Sequence, residues 1–258
     1  MINMKKSQYS EELASAIIAV KEAGKLLMKN FGKESKVFAK GKHDFALKAD
    51  KDAEKVIIKI LKKRFPKYAI LAEESGKSGK SDYTWIIDPL DGTHNYAFGV
   101  PIFGTSVALQ HKSEVVVGAI YLPFLNKLLY AEKGKGAYMN GKRIAVKQKG
   151  RFVVFGGTHR FRSGIVSRNM IKIAEKYHTR LRVIGSIVYT AAYVATGRFA
   201  GYVTFYVSPW DVAASALIVE ESGGNATDIR GRKWNPYQKH YVFSNGKMHK
   251  ELLRLLNE

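Results

Sequence analysis

The stretch Trp85-Ile86-Ile87-Asp88-Pro89-Leu90-Asp91-Gly92-Thr93 sets two carboxylates three residues apart at the end of an apolar run. Such a run reads as a buried strand, and the proline stiffens the turn expected to follow it. Asp88 and Asp91 can then point to the same side. The Leu90 carbonyl, freed from any strand ladder, adds a third hard oxygen of the kind Mg²⁺ prefers. Gly92 and Thr93 supply backbone amides that can approach an anion, favourably so if a helix begins there. A bare pair of aspartates at this spacing would read as a surface turn. The proline, glycine and threonine at these offsets argue for a built site.

Upstream, Ala69-Ile70-Leu71-Ala72 reads as another strand, with Glu73 and Glu74 at its end. Further back, Leu13, Ile17, Val20, Gly24, Leu27 and Phe31 recur at steps of three and four, predicting an amphipathic helix from Ser10 to Phe31. A second helix is expected to start at Asp50, whose carboxylate can cap it, and to run to Pro66. Downstream, residues 84–87, 105–109 and 115–122 read as strands, and Asn140-Gly141 marks a hairpin within 128–146. Beyond residue 150 the pattern alternates. Strands are expected at 152–155, 181–184 and 202–205, and helices near 163–177, 187–196 and 211–222. Extended pieces near 226–229 and 241–243 and a helix at 247–256 complete the chain. Residues 1–146 thus form an α+β half and 147–258 an α/β half, with the cleft between them as the default site.

The chain of 258 residues carries 43 Lys and Arg against 22 Asp and Glu, a formal net charge of +21. Such a balance attracts anions, whether nucleic acid, an anionic membrane surface or phosphorylated small molecules. The absence of cysteine excludes disulfides and thiolate-held metals, so any ion must sit on oxygen or imidazole. No apolar run approaches the length of a membrane span, and Met1 to Ser10 lacks the apolar core of a signal peptide, which makes the cytoplasm the expected compartment.

Taken alone, Asp50 and Asp211 read as helix caps and the Glu73-Glu74 pair as solvated. Their occurrence in this order around Asp88-Pro89-Leu90-Asp91-Gly92-Thr93 resembles the inositol monophosphatase family, metal-dependent phosphatases that include archaeal fructose-1,6-bisphosphatases. The resemblance spans nearly the whole chain: Asp44 to Asp50 with Glu54, Ala72 to Ser75, Trp85 to Tyr96, Gly134 to Tyr138 with Asn140-Gly141, and Trp210 to Ala213 before Glu221 to Gly224. It implies a layered αβαβα sandwich of the α+β class, a homodimer, and two or three Mg²⁺ ions per site. Glu73, Asp88 and the Leu90 carbonyl would hold one ion, and Asp88, Asp91 and Asp211 another. Asp50 and Thr93, with Glu73 nearby, would orient the attacking water. Asp91, Gly92 and Thr93 would border the phosphate, and Ser186 and Ile187 would line the substrate cleft. Arg182 matches an arginine of archaeal dual-specificity members, where a second phosphate could be met. Thr204 stands where the animal enzymes carry an acidic residue that grips inositol.

The activity so implied is hydrolysis of inositol-1-phosphate, fructose-1,6-bisphosphate or related esters. A 3′(2′),5′-bisphosphate nucleotidase is the alternative within the superfamily. The non-enzyme alternative is a basic nucleic-acid-binding protein with a vestigial site. Against it, the sequence has no RNP-like motif, zinc finger or helix-turn-helix signature, and an acidic cluster repels a phosphate backbone. The expected partner is therefore a small phosphorylated metabolite, with no specific nucleic acid and no membrane.

Overall fold

In the central strands, neighbouring residues divide between two cores, as the period-two geometry of a strand requires. The computed structural model describes residues 9–33, 37–41, 44–146, 153–157, 171–172, 175–176 and 182–257. Its helices are α1 (Glu11–Asn30), α2 (Lys48–Arg64), α3 (Thr93–Ala97), α4 (Ile187–Ala195), α5 (Pro209–Glu221) and α6 (His249–Asn257). A two-stranded hairpin pairs β1 (Val37–Gly41) with β2 (Asp44–Leu47). The large sheet is built from β3 (Ala69–Ala72), β4 (Gly76–Ser78), β5 (Tyr83–Asp91), β6 (Gly104–His111), β7 (Glu114–Leu122), β8 (Lys127–Glu132), β9 (Ala137–Met139) and β10 (Lys142–Ile144). Its order is β10-β9-β8-β7-β6-β5-β3-β4, antiparallel except for the β3–β5 pair. A second sheet, ordered β11-β12-β14-β13, joins β11 (Val153–Gly157), β12 (Gly201–Phe205), β13 (Asn225–Thr227) and β14 (His240–Ser244).

Trp85 and Ile87 of β5 pack with Leu13, Val20 and Leu27 of α1 and Ile57 of α2, whereas Ile86 turns to the opposite core with Val188 of α4 and Ala214 of α5. On the second sheet, Val154, Tyr202 and Phe243 join that same middle core. Their neighbours Val153, Val203 and Val242 face Leu252 and Leu255 of α6. The layers are therefore helix, sheet, helix, sheet, helix, which is the αβαβα sandwich expected from the sequence. Gly118 of β7 lets the middle layer close: a Cβ there would stand 3.1 Å from the Ala214 Cα, so α5 lies nearly backbone to backbone on the sheet.

The structure corrects several sequence expectations. Helix α2 begins at Lys48, two residues before Asp50, because Asp50 acts as the third helical residue and accepts a bond from Leu47 N–H. The Asp88 to Asp91 segment does not follow a strand but lies within β5, where the pairing with β6 shifts between Asp88 and Asp91. Residues 182–184 form no strand; the Phe155 N–H to Arg182 carbonyl bond of 3.1 Å ties them to β11. Most of the expected helix at 163–177 lies outside the described residues.

Candidate active site

The register shift in β5 gives the site its shape. The strand carries Asp88 opposite Ser106 and then Asp91 opposite Gly104, so one extra residue bulges out of the ladder. The Leu90 N–H turns back to Asp88 Oδ1 at 3.0 Å. Gly92 follows with φ of 89°, a left-handed backbone that glycine adopts without strain. A Cβ on Gly92 would also approach the Ile102 carbonyl to 2.8 Å. Glycine is therefore required twice over, by conformation and by space. The single-turn helix α3 starts at once with Thr93, whose hydroxyl lies 3.0 Å from the Leu90 carbonyl and 3.1 Å from Asp50 Oδ1.

Helix α2 reaches the site through its first turns. Asp50 is buried, with Oδ2 on its own helix start and Oδ1 on Thr93. One turn later, buried Glu54 accepts the Glu74 N–H at 2.8 Å. This bond, together with the Glu73 N–H to Ile87 carbonyl bond of 3.3 Å, fixes the backbone that carries Glu73.

Asp91 belongs to a different helix. The Ile187 and Val188 amides donate to its two oxygens at 3.0 and 3.1 Å, and the Ser186 hydroxyl donates as well. The carboxylate thus seals the N-terminus of α4, where unpaired amides and the helix dipole favour negative charge. Asp211 is the third residue of α5, and its Oδ2 accepts the Ser208 N–H at 2.6 Å. The cap readings of Asp50 and Asp211 therefore hold for one oxygen of each carboxylate.

One cavity of about 540 Å³ brings these elements together. Of the residues singled out in the sequence, Glu73, Asp88, Leu90, Asp91, Gly92 and Thr93 line it from the large sheet. Ser186, Ile187, Thr204 and Asp211 line it from the second half of the chain. Asp50 does not line the cavity and instead backs Thr93. Arg182 is exposed and stands outside the lining, although its neighbours Val183 and Ile184 belong to it.

Burial, and then the fields of Glu73, Asp91, Asp211 and Asp50, hold the Asp88 carboxyl well above the usual carboxylate range. Asp91 is pushed up to about 6 by burial, against the opposing effect of its Ser186, Ile187 and Val188 donors. Among the described residues no three acidic or imidazole groups are drawn in tightly enough to grip an ion as they stand. The donor chemistry nevertheless fits a hard divalent cation. Glu73, Asp88, Asp91 and Asp211 line the cavity with carboxylate oxygens beside Leu90, and buried like charges of this kind are relieved by a positive ion.

Three contributors were not visible in the sequence as site residues. Asn95 Nδ2 bridges the Ile102 and Ile184 carbonyls at 2.8 and 2.9 Å, tying the 182–186 segment to α3. Gly156 leaves room for the Tyr202 hydroxyl, which a Cβ there would meet at 1.9 Å. Glu54 and Asn95 fall within the motif stretches, but their bonds to Glu74, Ile102 and Ile184 depend on how distant segments pack.

A family model described as the inositol monophosphatase family matches residues 8–258. The fructose-1,6-bisphosphatase/inositol-1-monophosphatase of Thermotoga maritima is 38% identical over 259 residues, covering 96% of each chain. Its counterpart in Aquifex aeolicus is 41% identical over 220 residues, 82% of this chain and 83% of that one. The crystal structure of extragenic suppressor protein suhB from Bartonella henselae superposes with a TM-score of 0.91 at 32% identity, covering 96% of this chain and 99% of that one.

Proposed function

The chain belongs to the inositol monophosphatase family, a family of phosphatases, and on that premise we propose that it is a Mg²⁺-dependent phosphomonoesterase acting on inositol-1-phosphate, fructose-1,6-bisphosphate or closely related esters. The observation that carries the reading is the burial of Asp88 among Glu73, Asp91 and Asp211 on the wall of one cavity. In this reading Glu73, Asp88 and the Leu90 carbonyl hold one ion, and Asp88, Asp91 and Asp211 a second. Bound Mg²⁺ supplies activation of a water and neutralisation of charge on the leaving oxygen.

The chain's own groups do the rest. Asp50 Oδ1 fixes the Thr93 hydroxyl, leaving Thr93 Oγ1 to accept a hydrogen bond from the attacking water and to pass its proton inward. Glu73 faces the same cavity and aligns that water from the other side. The amides of Gly92 and Thr93 lie at the start of α3, where the first N–H groups have no partner within the helix, and they receive phosphoryl oxygens. Ser186 and Ile187 border the organic part of the substrate, where Thr204 offers a hydroxyl in place of a carboxylate. Weak discrimination among polyols follows from that exchange, because strong preferences come from dedicated hydrogen-bonding groups.

The same reading takes the protein as a cytoplasmic homodimer. No helix among the described residues is long and apolar enough to cross a membrane. Release of inorganic phosphate from inositol-1-phosphate, fructose-1,6-bisphosphate and 3′-phosphoadenosine 5′-phosphate tests the substrate assignment. Comparable turnover of the first two and little of the third is expected; a marked preference for the nucleotide would move the assignment to the nucleotidase branch.

A further inference from the structure

Tyr206 connects β12 to the start of α5 with φ of 56°, the left-handed region that disfavours any residue with a Cβ. A bulky residue kept there is a backbone outlier, and an outlier at the edge of a functional cavity points to a use for its side chain. The ring is held in place. It meets the His240 ring edge-to-face, with centroids 4.9 Å apart and planes at 86°, while its backbone N–H reaches His240 Nδ1 at 3.4 Å. The next residue is tied down as well, by the Val207 N–H to Lys239 carbonyl bond of 3.1 Å. Despite these contacts Tyr206 stays 39% exposed and lines the same cavity as Thr204 and Asp211.

The surroundings indicate what such a ring is for. Each carboxylate lining the cavity, namely Glu73, Asp88, Asp91 and Asp211, belongs to the cluster at the phosphate end. The wall formed by β12 and its exit presents Thr204, Phe205, Tyr206 and Val207, none of them charged. The organic part of a phosphate ester must be recognised there by contact with a surface. We propose that Tyr206 is a specificity-determining residue whose ring packs against the C–H face of the sugar or cyclitol ring of the substrate. This rests on the phosphatase reading above and adds to it the group that reads the leaving alcohol.

The backbone makes the test clean, because glycine suits the φ of residue 206 better than tyrosine does. Tyr206→Gly should fold with a thermal midpoint no lower than wild type, and Tyr206→Asn, which also tolerates this backbone, repeats the measurement should the glycine variant be poorly folded. For inositol-1-phosphate, loss of the ring should raise KM by about five-fold or more with kcat within about two-fold. For glycerol-2-phosphate, which has no ring face, KM should change by less than about two-fold. Tyr206→Phe keeps the face and should retain the wild-type KM for both esters. Equal KM changes for the two esters, no change for either, or a Tyr206→Phe variant as impaired as Tyr206→Gly would overturn the proposal while leaving the phosphatase reading in place. A wild type that hydrolyses neither ester, and whose thermal midpoint neither ester shifts, would overturn both.

Discussion

Asp88 packs against the fields of four other carboxylates, and its behaviour carries the chemistry of the site. Asp88→Asn keeps an oxygen for the Leu90 N–H and removes the charge that the cluster opposes. Turnover should fall by at least about a hundred-fold, as for loss of a metal-holding group, while the thermal midpoint of the metal-free protein stays the same or rises. Wild-type phosphate release from this variant would remove Asp88 from the mechanism. The titration of Asp91 leads to a second expectation. Its folded value of about 6 exceeds the ordinary 3.8, so over that interval the folded chain holds a proton that the unfolded chain has released. Stability from this group is full below 3.8 and is lost as pH rises through about 6. Asp88, shifted in the same direction, extends the window upward. Metal-free protein should therefore lose thermal stability as pH rises from 3.8 through about 6 and beyond, and added Mg²⁺ should restore most at the alkaline end, where fewer protons must leave. Thermal midpoints measured with chelator and with Mg²⁺ across this range check it, and two flat, parallel series would contradict it.

At the scale of elements, α4 seats Asp91 with its first amides and α5 carries Asp211, and each helix depends on one small residue. Ser186 caps α4, its Oγ accepting the Tyr189 N–H at 3.2 Å, and also donates to Asp91. Ser186→Ala should cost about 1 kcal/mol of stability, as for other lost caps, and lower kcat as Asp91 loses a donor; urea unfolding and turnover read the two effects separately. Gly118→Val would force α5 off the sheet, because the Ala214 backbone is in the way. A cost of about 1–3 kcal/mol is expected from overpacking, with reduced turnover as Asp211 moves with its helix. Full activity in that variant would show that the seating of α5 does not set the site.

These elements also mark how far the sequence could be read. Helix α1 was legible from its apolar period, strands β5 to β7 from apolar runs bounded by charges or glycine, and α5 from Asp211 at its start and Gly223-Gly224 at its end. The β1–β2 hairpin was not, since Lys36 to Ala49 mixes lysines with isolated apolar residues and offers no turn dipeptide. Leu181 to Ile184 looks like a strand locally, yet its described residues lie outside the sheet. Asp88 and Asp91 could be found from the proline, glycine and threonine beside them, and Glu73 and Asp211 only from their order around that motif. Asn95, Tyr202 and Tyr206 could not, because their roles arise only when distant segments meet.

Across the whole molecule, a net charge of +21 surrounds a cavity walled by carboxylates. On the proposed function, the positive field would draw anionic esters toward the site, and the local negative cluster would retain the cations that make an ester bindable. Raising ionic strength from about 20 to about 200 mM at saturating Mg²⁺ should lower kcat/KM, since the Debye length shrinks well below the size of the molecule. A kcat/KM indifferent to salt would assign the excess lysine to solubility alone. On the proposed function this cavity is a hydrolytic site completed by divalent cations held on Asp88 and its neighbours. The most direct test is a Mg²⁺ titration of phosphate release from inositol-1-phosphate, run side by side on wild type and Asp88→Asn after chelator treatment. Saturable activation of the wild type from a near-zero baseline, with no activation of the variant, is the predicted result; full wild-type activity in excess chelator, or equal activation of both proteins, would contradict it.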